Sequence, residues 1–148
     1  MIIIPRAILD DMIAHAREHA PLEACGLLAG VGSGVHKSFR LTNVDARPDH
    51  FSLDPKEQFA VVKNIRPFGW EIIAIYHSHP TTPARMSDED LRFTFTPEMR
   101  YVIISLMDAT APEVKCYTVY QNQAVQEPIL TTDTCFPLVS GEDLGEKT

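Results

Sequence analysis

The feature that most constrains this 148-residue sequence is the apolar segment at residues 70–76, WEIIAIY. Its β-branched and aromatic residues run almost without polar interruption, which is typical of a strand buried on both faces in the centre of a sheet. Two further apolar runs, at residues 25–31 (CGLLAGV) and 101–107 (YVIISLM), have the same character. The chain is therefore expected to fold around a largely buried sheet.

Other strands are expected at the edges of this core. Residues 2–4 read as a short edge strand, and the turn at residues 32–34 should return residues 35–41 as the hairpin partner of 25–31. Residues 114–120 alternate well enough for a strand, and residues 123–126 are a candidate for the last one. The loop at residues 43–50 is polar and contains a proline.

Three helices are predicted between the strands. Apolar residues recur at helical spacing up to His19, with Pro5 as the first helical residue and Pro21 closing the segment. A second helix begins at Pro55, and a short third one covers residues 87–95. The apolar face predicted for the second helix consists of Phe59, Val62 and Ile65.

The alternation of helices and strands predicts a layered α/β domain with a mixed sheet. The length fits one domain, which we place at residues 1–130. The sequence after Leu130 is polar and acidic, so residues 131–148 are predicted to form a flexible tail.

Composition excludes several classes of function. The formal net charge is −7 and no run of basic residues exists, which argues against nucleic-acid binding. The three cysteines form no CxxC pair, which favours reduced thiols in a cytosolic protein. We find neither a signal peptide nor an apolar segment near the ~18 residues that span a bilayer, so a soluble, cytoplasmic protein without membrane contacts is expected.

Two histidines end the most hydrophobic strand. His77 and His79 are two residues apart, so both imidazoles can point to one face of the sheet. The carboxyl end of a central strand is where α/β sheets keep their sites. Zinc binds histidine nitrogens and tolerates a carboxylate oxygen as third ligand, for which Asp90 is the nearest candidate.

Other interpretations of the polar residues stay open. Ser87 and Asp90 also fit a helix N-cap with an acidic residue three positions later, and this reading can hold together with a metal site. Residues 15–19 (HAREH) fit the zinc-binding H-x-x-E-H pattern, although their alternating character favours a solvated helix face. Arg85 could bind a substrate carboxylate or be an ordinary exposed loop residue.

The complete spacing across this region is far more specific than the histidine pair. It resembles the H-[ST]-H-P-x(6)-S-x-x-D signature of the JAMM (MPN+, Mov34/PAD-1-like) metallopeptidases, and residues 21–28 (PLEACGLL) resemble the upstream segment that carries the family's glutamate. The resemblance runs from about residue 3 to about residue 127. Met86 departs from it, since many members have proline there. The signature residues are His77, Ser78, His79, Pro80, Ser87 and Asp90.

The resemblance implies a role for each site residue. His77, His79 and Asp90 would bind Zn²⁺, with water as fourth ligand. Glu23 would hold that water, accept its proton and pass it to the leaving amine, and Ser87 would donate a hydrogen bond to the oxyanion. Without the resemblance, Glu23 would be read as an exposed residue before a strand.

The resemblance also implies a fold and a substrate. The expected fold is a three-layer, cytidine-deaminase-like α/β domain, and the expected reaction is hydrolysis of an amide or isopeptide bond. The single-domain form resembles the bacterial and archaeal branch, whose members act on ubiquitin-like sulfur-carrier proteins that end in Gly-Gly, for example to release cysteine. The alternative is a catalytically silent scaffold, which a complete ligand set disfavours. A deaminase would need H-x-E and P-C-x-x-C, which the sequence lacks.

Overall fold

A mixed sheet carries the candidate site. The structure, a computed structural model, describes residues 1–92 and 98–133. Within these residues, eight strands are arranged in the order β7-β6-β5-β4-β2-β3-β1-β8. The strands are β1 (Ile2–Pro5), β2 (Cys25–Val31), β3 (Gly34–Leu41), β4 (Glu71–His79), β5 (Arg100–Ser105), β6 (Glu113–Tyr120), β7 (Gln123–Glu127) and β8 (Ile129–Thr132).

The predicted central strand is central. β4 pairs antiparallel with β2 on one side and parallel with β5 on the other. His77 is in register with Cys25 of β2 and with Ile103 of β5. Two neighbouring strands therefore hold the end of β4, so the backbone that carries both histidines is fixed.

Helices cover both faces of the sheet, as the α/β prediction requires. α1 (Arg6–His19) packs through Ile8, Met12 and Ala16 on the face that carries Leu28, while α2 (Pro55–Ile65) packs on the face that carries Leu27. Because neighbouring residues of a strand point to opposite faces, β2 contributes to both layers of the core. A third helix, α3 (Asp88–Arg92), follows the loop after β4.

The predicted apolar face of α2 was right for Ile65 and wrong for Phe59 and Val62. α2 buries Val61 and Ile65, whereas Phe59 is 62% exposed and Val62 is 36% exposed. Val61 and Ile65 are four residues apart and therefore also lie on one side of the helix. Helical spacing allows both stripes, and packing against Leu27 and Leu41 selects the second.

The first strand and its connection to α1 also differ from the prediction. β1 is not an edge strand, because β3 pairs with it on one side and β8 pairs parallel with it on the other. The sequence analysis did not predict β8, and residues 123–126 are therefore not in the last strand. Pro5 is the residue before α1 rather than its first residue.

Some expectations fall wholly or partly outside the described residues. α3 is observed up to Arg92, and the remaining predicted helical residues, 93–95, are not described. Of the predicted tail, only residues 131–133 are described. Cys25 and Cys116 are buried and unpaired, while Cys135 lies outside the described part. Across residues 1–92 and 98–133 we find no helix with the length and apolar character needed to cross a bilayer.

Candidate metal centre

Both histidines of β4 point to the same place. Their Nε2 atoms are 3.1 Å apart, and the side chains are almost completely buried, with 1% of His77 and 4% of His79 exposed. The two-residue spacing within a strand produces this arrangement, as predicted. Two imidazole nitrogens therefore converge at the carboxyl end of β4.

Asp90 reaches the same point from α3. Its Oδ2 atom is 3.2 Å from Nε2 of His77 and 3.2 Å from Nε2 of His79. The backbone N–H of Ser87 donates to this same oxygen at 3.0 Å, and the backbone N–H of Asp90 donates to Oγ of Ser87 at 3.0 Å. The helix-capping interpretation is thus confirmed, and the cap fixes the direction of the Asp90 carboxylate.

These three side chains, which we call the candidate triad, suit a divalent cation. Tetrahedral zinc with bonds of about 2.0–2.1 Å requires ligand atoms about 3.3–3.4 Å apart. The observed separations of 3.1–3.2 Å are close to that value. Two nitrogens and one carboxylate oxygen are also the donor set of many catalytic zinc sites, which leave a further position for water or substrate.

The pKa shifts of two residues of the candidate triad, His77 and Asp90, favour binding a cation, whereas the shift of His79 favours a proton that a cation would have to displace. Burial lowers the pKa of His77, so its imidazole is neutral. Burial opposes ionisation of Asp90, but hydrogen bonds with His77 and His79 outweigh it and hold the Asp90 pKa below its ordinary value. Burial likewise lowers the pKa of His79, and its bonds with Asp90 and with the Pro83 carbonyl raise it more. A neutral imidazole and a carboxylate are the forms that bind metal.

Different contacts orient the two imidazoles. Nδ1–H of His79 donates to the carbonyl oxygen of Pro83 at 2.8 Å, which leaves Nε2 as the lone-pair donor. Nδ1 of His77 is buried and has no hydrogen-bond partner in the described part of the chain. The Phe51 ring instead stacks on His77, with centroids 4.5 Å apart and an interplanar angle of 22°. Sequence reasoning missed Phe51, because stacking across a loop leaves no local pattern.

Glu23 is buried next to the candidate triad. Only 4% of the residue is exposed, so the alternative of an exposed residue before a strand was wrong. Burial raises the Glu23 pKa to about 8; His79 lowers the pKa and Asp90 raises it, which places the carboxyl group within electrostatic range of both. Oε1 of Glu23 has no hydrogen-bond partner among the described residues. A buried carboxyl group with a raised pKa is a candidate for acid–base chemistry.

Ser78 joins the strand that carries both histidines to the segment that carries Glu23. It is fully buried between the two histidines in β4, and its Oγ accepts a hydrogen bond from the backbone N–H of Ala24 at 2.8 Å. The backbone N–H of Ser78 donates to the carbonyl oxygen of Ala24 at 2.9 Å. The sequence analysis gave Ser78 no role of its own. A hydroxyl group in the most apolar strand must find a buried partner, and that signal could have identified it.

A cavity of about 350 Å³ opens beside the candidate triad. His77 and Asp90 contribute to its lining, and Met86, which departs from the proline that many members of the resembled family have, is 8% exposed in its wall. Arg85 is exposed and does not line the cavity. Apolar parts of the wall come from Phe51, Leu53, Ile75, Met86 and Tyr101.

A bridge of side-chain contacts centred on His50 lies beside this cavity. Nδ1 of His50 is 2.5 Å from Oε2 of Glu89, and Nε2 of His50 is 2.7 Å from Oδ2 of Asp45. His50 and Asp45 lie in the loop between β3 and α2, residues 42–54, which we call the β3–α2 loop, whereas Glu89 lies in α3. The bridge therefore joins this loop to the helix that carries Asp90.

The second zinc-like pattern, at residues 15–19, is not a metal site. Nδ1 of His15 is hydrogen-bonded to the Tyr76 hydroxyl at 2.7 Å, and burial lowers the His15 pKa to about 4. Glu18 instead pairs with Arg40 at 2.8 Å. The expectation of a solvated helix face was wrong for His15, which is 2% exposed. A histidine in an otherwise polar helical segment can pack into the core because the hydroxyl group of a buried tyrosine is its hydrogen-bond partner.

Comparisons with known proteins give a family match over most of the chain. A family profile described as prokaryotic homologues of the JAB domain matches residues 5–120. The CysO-cysteine peptidase of Mycobacterium tuberculosis is 32% identical over 131 residues, which cover 87% of this chain and 90% of that protein. A desampylase of Haloferax volcanii is 34% identical over 103 residues, covering 65% of this chain and 74% of the relative.

A solved structure is similar to this chain. The solution structure of protein DSY2949 from Desulfitobacterium hafniense superposes with a TM-score of 0.84 at 40% sequence identity. The superposition covers 91% of this chain and 95% of that protein. The similarity therefore extends over nearly the whole length of both chains.

Proposed function

Because the chain belongs to the prokaryotic homologues of the JAB domain and is a JAMM-type hydrolase, we propose that it is a zinc-dependent peptidase. Its proposed substrate is an amide or isopeptide bond at the C-terminal Gly-Gly of a ubiquitin-like sulfur-carrier protein, for example one that holds cysteine. The observation that carries the proposal is the convergence of the three ligand atoms of the candidate triad within 3.2 Å. The names of the mycobacterial and haloarchaeal relatives support the substrate class.

His77, His79 and Asp90 would hold the metal ion. A bound zinc ion would supply Lewis-acid polarisation of a carbonyl group and a lowered pKa for water. The three residues come from a strand end and a capped helix, two elements whose backbones are fixed by hydrogen bonds. This rigidity supports a preformed site rather than one assembled by the substrate.

Glu23 is proposed as the general base and acid. In the metal-free protein its pKa of about 8 keeps much of the carboxyl group protonated at neutral pH. A cation at the candidate triad would lower this pKa, because a nearby positive charge favours the carboxylate. Glu23 could then accept a proton from water and return it to the leaving amine.

Ser87 is proposed to stabilise the developing oxyanion. Its Oγ accepts the Asp90 backbone N–H, which orients the hydroxyl group at the start of α3. Among residues 1–92 and 98–133, the Ser87 hydroxyl donates to no acceptor, so its hydrogen is available to a substrate oxygen. A preorganised donor of this kind acts where charge develops during the reaction.

A location in the cytoplasm fits this proposal. Cys25 and Cys116 are unpaired thiols, as expected where disulfides are kept reduced. The carrier partner would also be found there. We propose no nucleic-acid partner, in keeping with the net charge of −7.

The experiment that tests the proposal is cleavage of defined carriers, followed by intact-mass spectrometry. One carrier would be extended past its Gly-Gly by a single cysteine, and a second would be joined through Gly-Gly to a lysine side chain. We expect the zinc-loaded protein to release a carrier ending in Gly-Gly from at least one of them. Glu23→Gln should lower the rate by about 10²-fold or more.

Glu71→Gln is the matched control, since it makes the same chemical change at an exposed position at the other end of β4. Its cleavage rate should equal that of the parent. If a parent protein carrying one zinc per chain left both carriers intact, the scaffold alternative would be favoured instead.

A further inference from the structure

The peptide group between Glu23 and Ala24 is held from both sides by side chains. Its carbonyl oxygen, on Glu23, accepts a hydrogen bond from Nδ2 of Asn43 at 3.0 Å. Its N–H, on Ala24, donates to Oγ of Ser78 at 2.8 Å. Glu23 precedes β2, which begins at Cys25, so the strand ladder does not hold this peptide group. Two side chains from other elements provide what the ladder does not.

The side-chain amide of Asn43 makes four hydrogen bonds, two through Nδ2 and two through Oδ1. Besides the carbonyl oxygen of Glu23, Nδ2 donates to the carbonyl oxygen of His50 at 2.9 Å. Oδ1 accepts the backbone N–H groups of Asp45 and Ser52, each at 3.1 Å. The residue is buried, with 7% exposed. Four bonds to four backbone positions fix the amide and thereby join the β3–α2 loop to the segment that carries Glu23.

The carboxyl end of Glu23 has less support than its backbone. Oε1 is buried and has no hydrogen-bond partner in the described part of the chain. The position of the carboxyl group relative to the candidate triad therefore depends on the backbone from which it extends. A displacement of about 1 Å in a catalytic group can lower a rate by about 10²-fold.

We propose that Asn43 is a positioning residue, which holds the Glu23 backbone so that the carboxyl group faces the candidate triad. The inference rests on the proposed catalytic role of Glu23. Asn43 makes no hydrogen bond with His77, His79 or Asp90, so it acts on the base and not on the metal ligands.

The same loop reaches the metal ligands by a separate route. Phe51 stacks on His77, and His50 pairs with Glu89 next to Asp90. Asn43 also bonds to the carbonyl oxygen of His50, so its loss acts on the part of the loop that makes these contacts. Zinc content therefore has to be measured together with activity, so that an effect on the base is separated from an effect on the ligands.

The test uses two variants and a control, all in the full chain. Asn43→Asp keeps an oxygen for the Asp45 and Ser52 N–H groups but loses both donated bonds. Asn43→Gln keeps the amide on a longer stem and serves if Asn43→Asp does not fold. Thr42→Val is the control, because Thr42 bonds to Glu57 in α2 at 2.7 Å and makes no hydrogen bond with Glu23.

The first measurement is amide hydrogen exchange of Ala24 in the zinc-loaded protein. We expect Asn43→Asp to exchange at Ala24 at least about 10-fold faster than the parent, since the local opening becomes easier. Thr42→Val should exchange at the rate of the parent. Zinc content should remain at the parental level in all three variants.

The second measurement is the kinetics of carrier cleavage. We expect kcat of Asn43→Asp to fall about 10- to 100-fold, with KM changed by less than about 3-fold. In a Glu23→Gln background the same substitution should cost less than about 2-fold further, because it acts through Glu23. Asn43→Gln should retain more activity than Asn43→Asp.

Two results would overturn the inference. One is an Ala24 exchange rate in Asn43→Asp equal to that of the parent. The other is the same fold-loss of kcat with and without Glu23, which would assign Asn43 a general structural role. If the zinc-loaded parent cleaves neither carrier, the proposed function is wrong, and the Ala24 exchange rate still decides whether Asn43 holds this segment.

Discussion

Glu23 lies in a buried position where an ionised carboxylate lowers the stability of the folded protein. Burial raises its pKa from the ordinary value of 4.5 to about 8. Between these two values the folded, metal-free protein keeps a proton that the unfolded chain has released. The stability that this group contributes is therefore complete below 4.5 and is lost as the pH rises through about 8.

Glu23→Gln should remove this pH dependence. In metal-free protein, the parent should lose about 2 kcal/mol more unfolding free energy than Glu23→Gln between about pH 5 and about pH 7. Urea unfolding of chelator-treated protein at both pH values measures the difference. Parallel losses in the two proteins would show that the carboxyl group is not buried as described.

Residue-scale predictions from sequence succeeded where spacing alone sets the geometry. His77 and His79 converge because a strand alternates, and Asp90 is directed by a cap that Ser87 and Asp90 form between themselves. Asn43 and Phe51 were not identified, because their partners are distant in sequence and are brought close only by folding. Local sequence patterns do not predict such contacts.

At the scale of elements, the close contact between β2 and β4 requires a residue without a side chain at Gly26. A Cβ atom there would lie far inside van der Waals contact of the Tyr76 ring and of the Phe39 carbonyl oxygen. Tyr76 is fully buried and immediately precedes His77. The absence of a side chain at Gly26 thus allows the Tyr76 ring to pack beneath the strand that carries the site.

Gly26→Ala should destabilise the protein by about 3 kcal/mol, since backbone and a buried ring must both move. Gly32→Ala is the matched control, because Gly32 has a φ of +61° and open space around its Cβ position. The control should cost only about 1 kcal/mol, from the left-handed backbone alone. Chemical denaturation compares the two variants, and equal losses would contradict the close approach of Tyr76.

The helix α2 shows where element-level prediction reaches its limit. Its existence and its start at Pro55 follow from sequence, and Asp54 caps it by accepting the Lys56 backbone N–H at 2.9 Å. Its buried face does not follow, because two apolar stripes satisfy the same period. The strand residues that face α2 decide between them, and those are known only after the sheet is assembled.

At the scale of the whole molecule, the first strand, β1, pairs with β8, which forms one edge of the sheet. β8 pairs with β1 in register from Ile2 and Ile129 to Pro5 and Thr132. Ile129 also packs against the core on the α1 side of the sheet. The sequence interpretation missed this strand because four residues at the start of a polar stretch give a weak signal.

Two truncations measure what this strand contributes. A chain that ends at Pro128 should be at least about 2 kcal/mol less stable than a chain that ends at Asp133, since it uncovers β1 and removes Ile129 from the core. Thermal or urea unfolding gives the difference directly. Equal stability of the two truncated chains would show that β8 contributes nothing to the fold.

The central claim is that His77, His79 and Asp90 hold one zinc ion, and elemental analysis of the purified protein tests it most directly. The parent, His79→Ala, Asp90→Ala and the half-buried control His19→Ala would be loaded with zinc, dialysed and measured together. We expect one zinc per chain in the parent and the control, and a loss of zinc in both triad variants. A parent that retains no zinc after loading, or triad variants that retain all of it, would contradict the account.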